Sequence, residues 1–223
     1  YNFSRPALTE TVHQLVDFYN AAVTRYEAAA TPKPPVDGFI NTDPTKFSWN
    51  RADKVQLARG RTYQARPAAL RAGAYRPFTR QHVWFDPELN DMVYRMPAMF
   101  PTAAHENYGF VVVAPGSDKE FATLAVERLP DLSMWGSGPS QFFARYTYEP
   151  VSSGSAQESL DFGTSDGDVI DGYRRLDNIT DETLTAYREW YGEDVTKDGI
   201  FAFVYGLLHS PDYRARFAAD LKR

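Results

Sequence analysis

Between positions 46 and 80 the chain carries nine bases, Lys46, Arg51, Lys54, Arg59, Arg61, Arg66, Arg71, Arg76 and Arg80, against one acid, Asp53, a net charge of +8. Trp49, Tyr63, Tyr75, Phe78 and, just beyond, Trp84 are interleaved with them. Guanidinium and ammonium groups neutralise phosphates and release condensed counterions, and aromatic rings pack on bases and sugars, so the block suits a nucleic acid. An ion-paired seam inside a larger enzyme is the alternative, because charge asymmetry is also an ordinary surface property. The whole 223-residue chain has 24 bases and 29 acids, and residues 149–198 hold four bases against thirteen acids, so the sequence is electrically polarised.

The templates of catalysis find no match. An adenine methyltransferase needs Asn or Asp before Pro-Pro and an aromatic, to grip the exocyclic amine while the flipped base stacks; the one Pro-Pro here lies in Lys33-Pro34-Pro35-Val36. Gly136-Ser137-Gly138-Pro139 has the wrong spacing for a nucleotide-binding turn, and Pro139 interrupts the helix start that would hold phosphate. Pro130-Asp131 and Asp220-Leu221-Lys222 resemble a metal-nuclease set only formally. His13, His82, His105 and His209 lack the i, i+4 spacing of zinc ligands, and Asp166, Asp168 and Asp171-Gly172 lack the remaining positions of an EF-hand loop. Asn178-Ile179-Thr180 is a glycosylation sequon by formula alone, and Gly-x-Ser-x-Gly is absent. With no cysteine there is no disulfide framework and no thiolate nucleophile, which suits a reducing cytoplasm. No catalytic residue, metal ligand or cofactor site is expected in this chain.

The elements that must position the basic block are legible to different degrees. Ser4 as N-cap, Pro6 in the first turn and the stripe Leu8, Val12, Leu15, Val16, Tyr19, Ala22, Val23, Tyr26 predict a helix over 5–30, stopped by Thr31-Pro32-Lys33-Pro34-Pro35. The basic block itself is expected to form loops and short strands, since Arg66, Arg71 and Arg76 step by five and Pro77 breaks any helix. Strands are predicted at 81–85, 109–114 and 141–148, while 119–129 fits helix or strand. In the first of these, alternation puts Val83 and Phe85 in the core and His82 and Trp84 on the other face. Residues 151–172 are breaker-rich and expected to be a long loop or insertion. Thr196 caps a helix bearing Ile200, Phe201, Val204, Tyr205 and Leu208, and Ser210-Pro211 starts another with Tyr213, Phe217 and Leu221, so a helical hairpin whose stripes face each other should end the chain. No apolar run approaches the roughly 20 residues of a membrane span. Tyr1-Asn2-Phe3 and Lys222-Arg223 read as cuts within or near the end of a longer polypeptide. The expected class is α+β, a mixed or antiparallel sheet region flanked by an N-terminal helix and a C-terminal helical hairpin.

Three stretches together resemble a known family. Tyr75-Arg76-Pro77-Phe78-Thr79-Arg80-Gln81-His82-Val83-Trp84-Phe85-Asp86 is similar to a signature in the C-terminal specificity region of single-chain type ISP restriction-modification enzymes. Leu129-Pro130-Asp131-Leu132, followed by Gln141-Phe142-Phe143 and Tyr146-Thr147-Tyr148-Glu149, resembles the next part of that region, and residues 198–214 resemble its C-terminal hairpin. The resemblance covers roughly residues 65–223. It implies a fragment that recognises double-stranded DNA, while nuclease, translocase and adenine-N6 methyltransferase parts, with their S-adenosylmethionine, ATP and Mg, belong elsewhere in the parent polypeptide.

On that reading residues 1–45 are a connecting helix and Pro-rich linker and residues 46–223 the recognition domain, with the hairpin at 196–223. Lys46, Arg51, Lys54, Arg59, Arg61, Arg66, Arg71, Arg76, Arg80, Gln81 and His82 are the DNA-binding candidates. Arg76 and Arg80 could each pair with guanine and Gln81 with adenine, and alternation lets at most one of Gln81 and His82 face a groove. Alternatively, Arg76 is held by Asp86 or Asp91 and braces the turn. The partners expected are duplex DNA and the other domains of the polypeptide, in the cytoplasm and with no membrane. The competing reading is a structural or protein-interaction module of a large DNA-processing enzyme.

Overall fold

A computed structural model describes residues 1–151 and 168–221. The described chain divides into two compact units, residues 1–71 with 81–94, and residues 72–80 with 95–223.

The first unit is built on α1 (Arg5–Glu27), whose first turn is capped by Ser4 Oγ accepting from the Ala7 N–H at 3.3 Å. Its stripe Leu8, Val12, Val16, Tyr19, Ala22, Val23 and Tyr26 is buried as the spacing requires. The proline segment leads into α2 (Val36–Phe39), and the Tyr26 hydroxyl donates to the Pro34 carbonyl at 2.9 Å. The segment expected to connect therefore packs into the same unit as Phe47, Leu57, Tyr63 and Trp84. Tyr19 stacks on Tyr63 with ring centres 4.2 Å apart, and Phe47 and Trp49 close around them.

Strand β1 (Leu70–Arg76) leaves this unit at Arg71 and β2 (Thr79–Trp84) returns to it at Gln81. Val83 is in the core as expected, but Trp84 is buried as well and Phe85 only half-buried, because the strand ends at Trp84 and both of its last residues are covered.

The second unit begins with the tip of that hairpin and contains α4 (Met96–Met99), β3 (Gly109–Val113) and β4 (Thr123–Val126). The ambiguous 119–129 stretch is thus extended, continuing to β5 (Leu129–Pro130), which pairs parallel with β1 through Gly73↔Leu129 and Ala74↔Pro130. The run at 141–148 is two strands, β6 (Ser140–Ala144) and β7 (Tyr146–Pro150), that enter different sheets. One antiparallel sheet has the order β4-β3-β6, with β3 buried along its whole length. Gly109 is required there, since a Cβ would fall 2.2 Å from the Phe143 carbonyl oxygen and 2.5 Å from the Phe142 ring. The other has the order β7-β9-β8, formed with β8 (Val169–Ile170) and β9 (Tyr173–Asp177). Most of the loop expected at 151–172 lies outside the described residues, while its end forms β8 and the turn into β9.

Three helices follow, α5 (Asp181–Tyr191), α6 (Lys197–Leu207) and α7 (Pro211–Arg216). Thr196 and Ser210 cap α6 and α7 as expected, each hydroxyl accepting an N–H of the first turn. The apolar stripe of α6 does not simply meet that of α7. Phe201 packs edge-on to Tyr108 and against Phe110, and the Tyr205 hydroxyl accepts the Ala125 N–H at 3.0 Å, so α6 covers the β3–β4 sheet. Arg214 of α7 donates to the Phe121 carbonyl and lies over its ring. The molecule is α+β, with helices at both ends of the chain and small sheets between them.

Candidate nucleic-acid interface

The basic block contains a helix that its arginine spacing did not announce. Helix α3 (Arg51–Ala58) starts from a reciprocal capping box: Asn50 Oδ1 accepts the Asp53 N–H at 2.9 Å, and Asp53 Oδ2 accepts the Asn50 N–H at 3.1 Å. It stops at Gly60, whose φ of +68° suits glycine. The Gly60 N–H reaches the Leu57 carbonyl and the Arg61 N–H the Gln56 carbonyl, the paired bonds of a Schellman stop. Sequence inspection could have found this helix from Asn50-x-x-Asp53 and the Arg59-Gly60 end, which together bracket eight residues.

These two ends set the charges. Asp53, the single acid of the block, is turned inward, 4% exposed, where it accepts the Tyr63 hydroxyl at 3.0 Å. Burial pushes its carboxyl above the usual range, with the Asn50 and Tyr63 hydrogen bonds opposing. Burial likewise pushes the Tyr19 hydroxyl up to about 12, and that hydroxyl donates to the Arg61 carbonyl at 3.0 Å. The backbone at Arg61 is therefore anchored while its side chain stands in solvent. Arg51 and Arg59 are exposed too, and none of the three has an ion-pair partner among the described residues. Arg51 sits on the first helical residue, where a positive charge opposes the helix dipole, so helix stability does not account for it.

The other candidates separate by partner. Lys46 is exposed and lies close enough to Asp43 to help hold that carboxyl below its usual range, behind the Thr45 hydrogen bonds that do most of this. Lys54 pairs with Asp37 at 2.7 Å, and Arg66 pairs with both Asp86 and Glu88. Arg71 is half-buried on β1, and burial lowers its guanidinium pKa. Arg76 lies over the Tyr75 ring at 4.1 Å and donates to Asp131 at 3.0 Å. The acid that holds Arg76 is thus neither Asp86 nor Asp91: the parallel β1–β5 pairing brings Asp131 alongside. Arg80, on β2 in the second unit, is exposed and has no ion-pair partner among the described residues. Gln81 and His82 are half-buried, and the His82 backbone is fixed by a bridge to Asn2 through bonds of 2.8 and 2.9 Å. Exposed guanidinium groups on a fixed backbone, free of carboxylates, are chemically fitted to bind phosphate oxygens.

The sequence profile of the Type ISP C-terminal specificity domain matches residues 1–223. The chain belongs to that family. The specificity domain resembles three solved structures over nearly its full length. One is a nuclease-deletion mutant of the Type ISP restriction-modification enzyme LlaGI in complex with a DNA substrate mimic, at 28% identity and a TM-score of 0.77, covering 100% of this chain and 18% of that one. The ATP-dependent Type ISP restriction-modification enzyme LlaBIII bound to DNA matches at 24% identity and 0.75, covering 99% of this chain and 13% of that one. The DrdV–DNA complex matches at 24% and 0.75, covering 100% and 19%. The specificity domain therefore spans less than a fifth of each of these chains. No curated protein matches it. Among the described residues of the specificity domain, no helix is long and apolar enough to cross a membrane.

Proposed function

We propose that this specificity domain recognises a sequence in double-stranded DNA and so directs the methyltransferase and nuclease of a longer restriction-modification polypeptide in the cytoplasm. The observation that carries the reading is the trio Arg51, Arg59 and Arg61, set at the two ends of a capped helix and free of acidic partners among the described residues, in a family whose solved relatives include enzymes bound to DNA. Lys46, Arg51, Arg59 and Arg61 take phosphates, setting affinity and register without reading sequence. Arg80 is the candidate for a base edge, with at most one of Gln81 and His82 beside it. Lys54, Arg66 and Arg76, already paired with carboxylates, act through the architecture. The domain itself performs no catalysis on this reading. S-adenosylmethionine, ATP and Mg serve other domains of the same polypeptide.

Fluorescence anisotropy of a labelled duplex across a salt series tests this. Affinity should fall linearly on log–log axes, with each phosphate contact contributing about 0.9 to the slope. Replacing Arg59 and Arg61 together by Ala should flatten the slope by up to about 2. An unchanged slope would remove this helix end from the interface, and a wild-type domain without salt-dependent binding would overturn the reading itself.

A further inference from the structure

The β1–β2 hairpin turns on two residues, Pro77 and Phe78. Proline fixes its own φ near −65°, and Phe78 follows at φ +61°, the pattern of a tight turn whose second central position glycine ordinarily fills without steric cost. A phenylalanine there carries backbone strain. Its ring is also 92% exposed and makes no aromatic or cation–π contact among the described residues. Nothing in the fold is gained from either feature. A strained position carrying an exposed apolar side chain points to a function outside the folded chain.

The surroundings indicate what the ring meets. Phe78 lies at a groove of about 570 Å³ whose floor includes Phe110 and Leu124 and whose rim carries Arg76, Arg80 and Arg128. Arg80 and Arg128 have no ion-pair partner among the described residues, and Glu127 is the one acid lining the groove. A two-stranded ribbon can enter either groove of duplex DNA, and phenylalanine is among the side chains that wedge between base steps from the minor groove. We propose that Phe78 is a base-contacting ring, carried into the DNA on the hairpin tip, where it stacks on or between bases while Arg128 meets the backbone and Arg80 a base edge beside it. The proposal rests on the DNA-recognition reading above and adds a residue that none of the basic candidates supplies.

The test uses the whole 223-residue chain and a fluorescein-labelled random-sequence duplex, since base–aromatic stacking is tolerant of sequence. Phe78→Asn keeps a residue at ease in the left-handed region and removes the ring; Phe78→Gly relieves the strain outright. Both should retain or raise the melting temperature and weaken binding about tenfold or more. The log–log salt slope should stay at its wild-type value, because no phosphate contact is lost. Phe78→Trp should bind within about twofold of wild type, as another ring able to stack. Wild-type affinity in the Asn variant would overturn the proposal and leave the ring to a protein surface. Weaker binding with a flatter slope would overturn it as well, tracing the effect to displaced arginines. A wild-type chain that binds no duplex fails the DNA reading and this one together, an outcome separate from either.

Discussion

In the first unit Lys46, Arg51, Arg59 and Arg61 face solvent and the one acid of their block, Asp53, is drawn inside; around Arg145 in the second unit the arrangement is inverted. Arg145, at the junction of β6 and β7, has a side chain only 4% exposed, and its carboxylate partners Asp177 and Asp198 are more exposed than it is. Its Nε donates to Asp198 at 2.7 Å, and its guanidinium pairs with Asp177. Lys197 adds bonds of 3.2 Å to Asp177 and 2.6 Å to Asp181. Asp198 and Asp181 are 65% and 61% exposed. The sign of each surface is thus decided by which charge the fold buries. Among the described residues, these two clusters follow the polarity visible in the sequence, positive over 46–80 and negative over 149–198. Arginines in one chain consequently have opposite jobs, and substitutions should separate them.

The largest effect is expected at Arg145. Arg145→Ala empties a buried site and removes the bonds to Asp177, which keeps Lys197, and to Asp198, which keeps the Tyr108 hydroxyl, so chemical denaturation should show a loss of about 2–3 kcal/mol, the scale of lost charge-assisted hydrogen bonds. A loss below about 1 kcal/mol, the size expected of an exposed pair, would show that the network is solvated and end the contrast. Next in size is Gly60→Ala. A Cβ there meets Glu27 Oε1 at 2.3 Å and must adopt φ +68°, so stability should fall by about 1–2 kcal/mol from the backbone alone. Because the Glu27 side chain can swing away, pairing the change with Glu27→Ala should recover little; full recovery would move the cause from backbone to contact.

The two carboxyls should respond to pH in opposite senses. Asp198 is held below its ordinary value of 3.8, chiefly by the Arg145 hydrogen bond. Its contribution is present above the unfolded value and lost as pH falls through the lower folded one. Asp198→Asn should therefore destabilise at neutral pH and converge on wild type as pH falls through the lowered folded value. Asp53 is raised, chiefly by burial, so its contribution is complete below the ordinary value of 3.8 and lost as pH rises through the folded one. Asp53→Asn should gain on wild type as pH rises, and parallel profiles for the two variants would erase the distinction. The smallest effect belongs to the exposed arginines: the Arg59, Arg61 double Ala variant should melt within about 0.5 kcal/mol of wild type per site. A larger loss would make them structural.

Local signals carried the sequence reading far where they were strong. Helix α1 was legible because seven buried positions repeat at helical spacing behind Ser4, and α6 and α7 because Thr196 and Ser210-Pro211 mark their starts. Helix α3 was hidden by its charges, since only Leu57 and Asp53 of its eight residues are buried and no apolar stripe shows. The break at Arg145 was illegible because a buried arginine within an aromatic run is stabilised by Asp177 and Asp198, 32 and 53 residues away. The same holds for Arg76, whose acid lies 55 residues on and arrives only through parallel strand pairing. The basic block itself was legible as composition, but which of its members are already neutralised depends on such distant partners.

The parallel pairing has one more consequence. Strand β5, at the edge of the β2-β1-β5 sheet, has two residues, and the second is Pro130, which has no N–H to offer an incoming strand. An open sheet edge is a template for pairing with other copies of a chain, and a two-residue strand ending in proline is a poor one. The pairing that delivers Asp131 to Arg76 thereby also blunts this edge against self-association. Pro130→Val would restore the missing donor, so any cost would fall on the behaviour of the concentrated protein rather than on its fold.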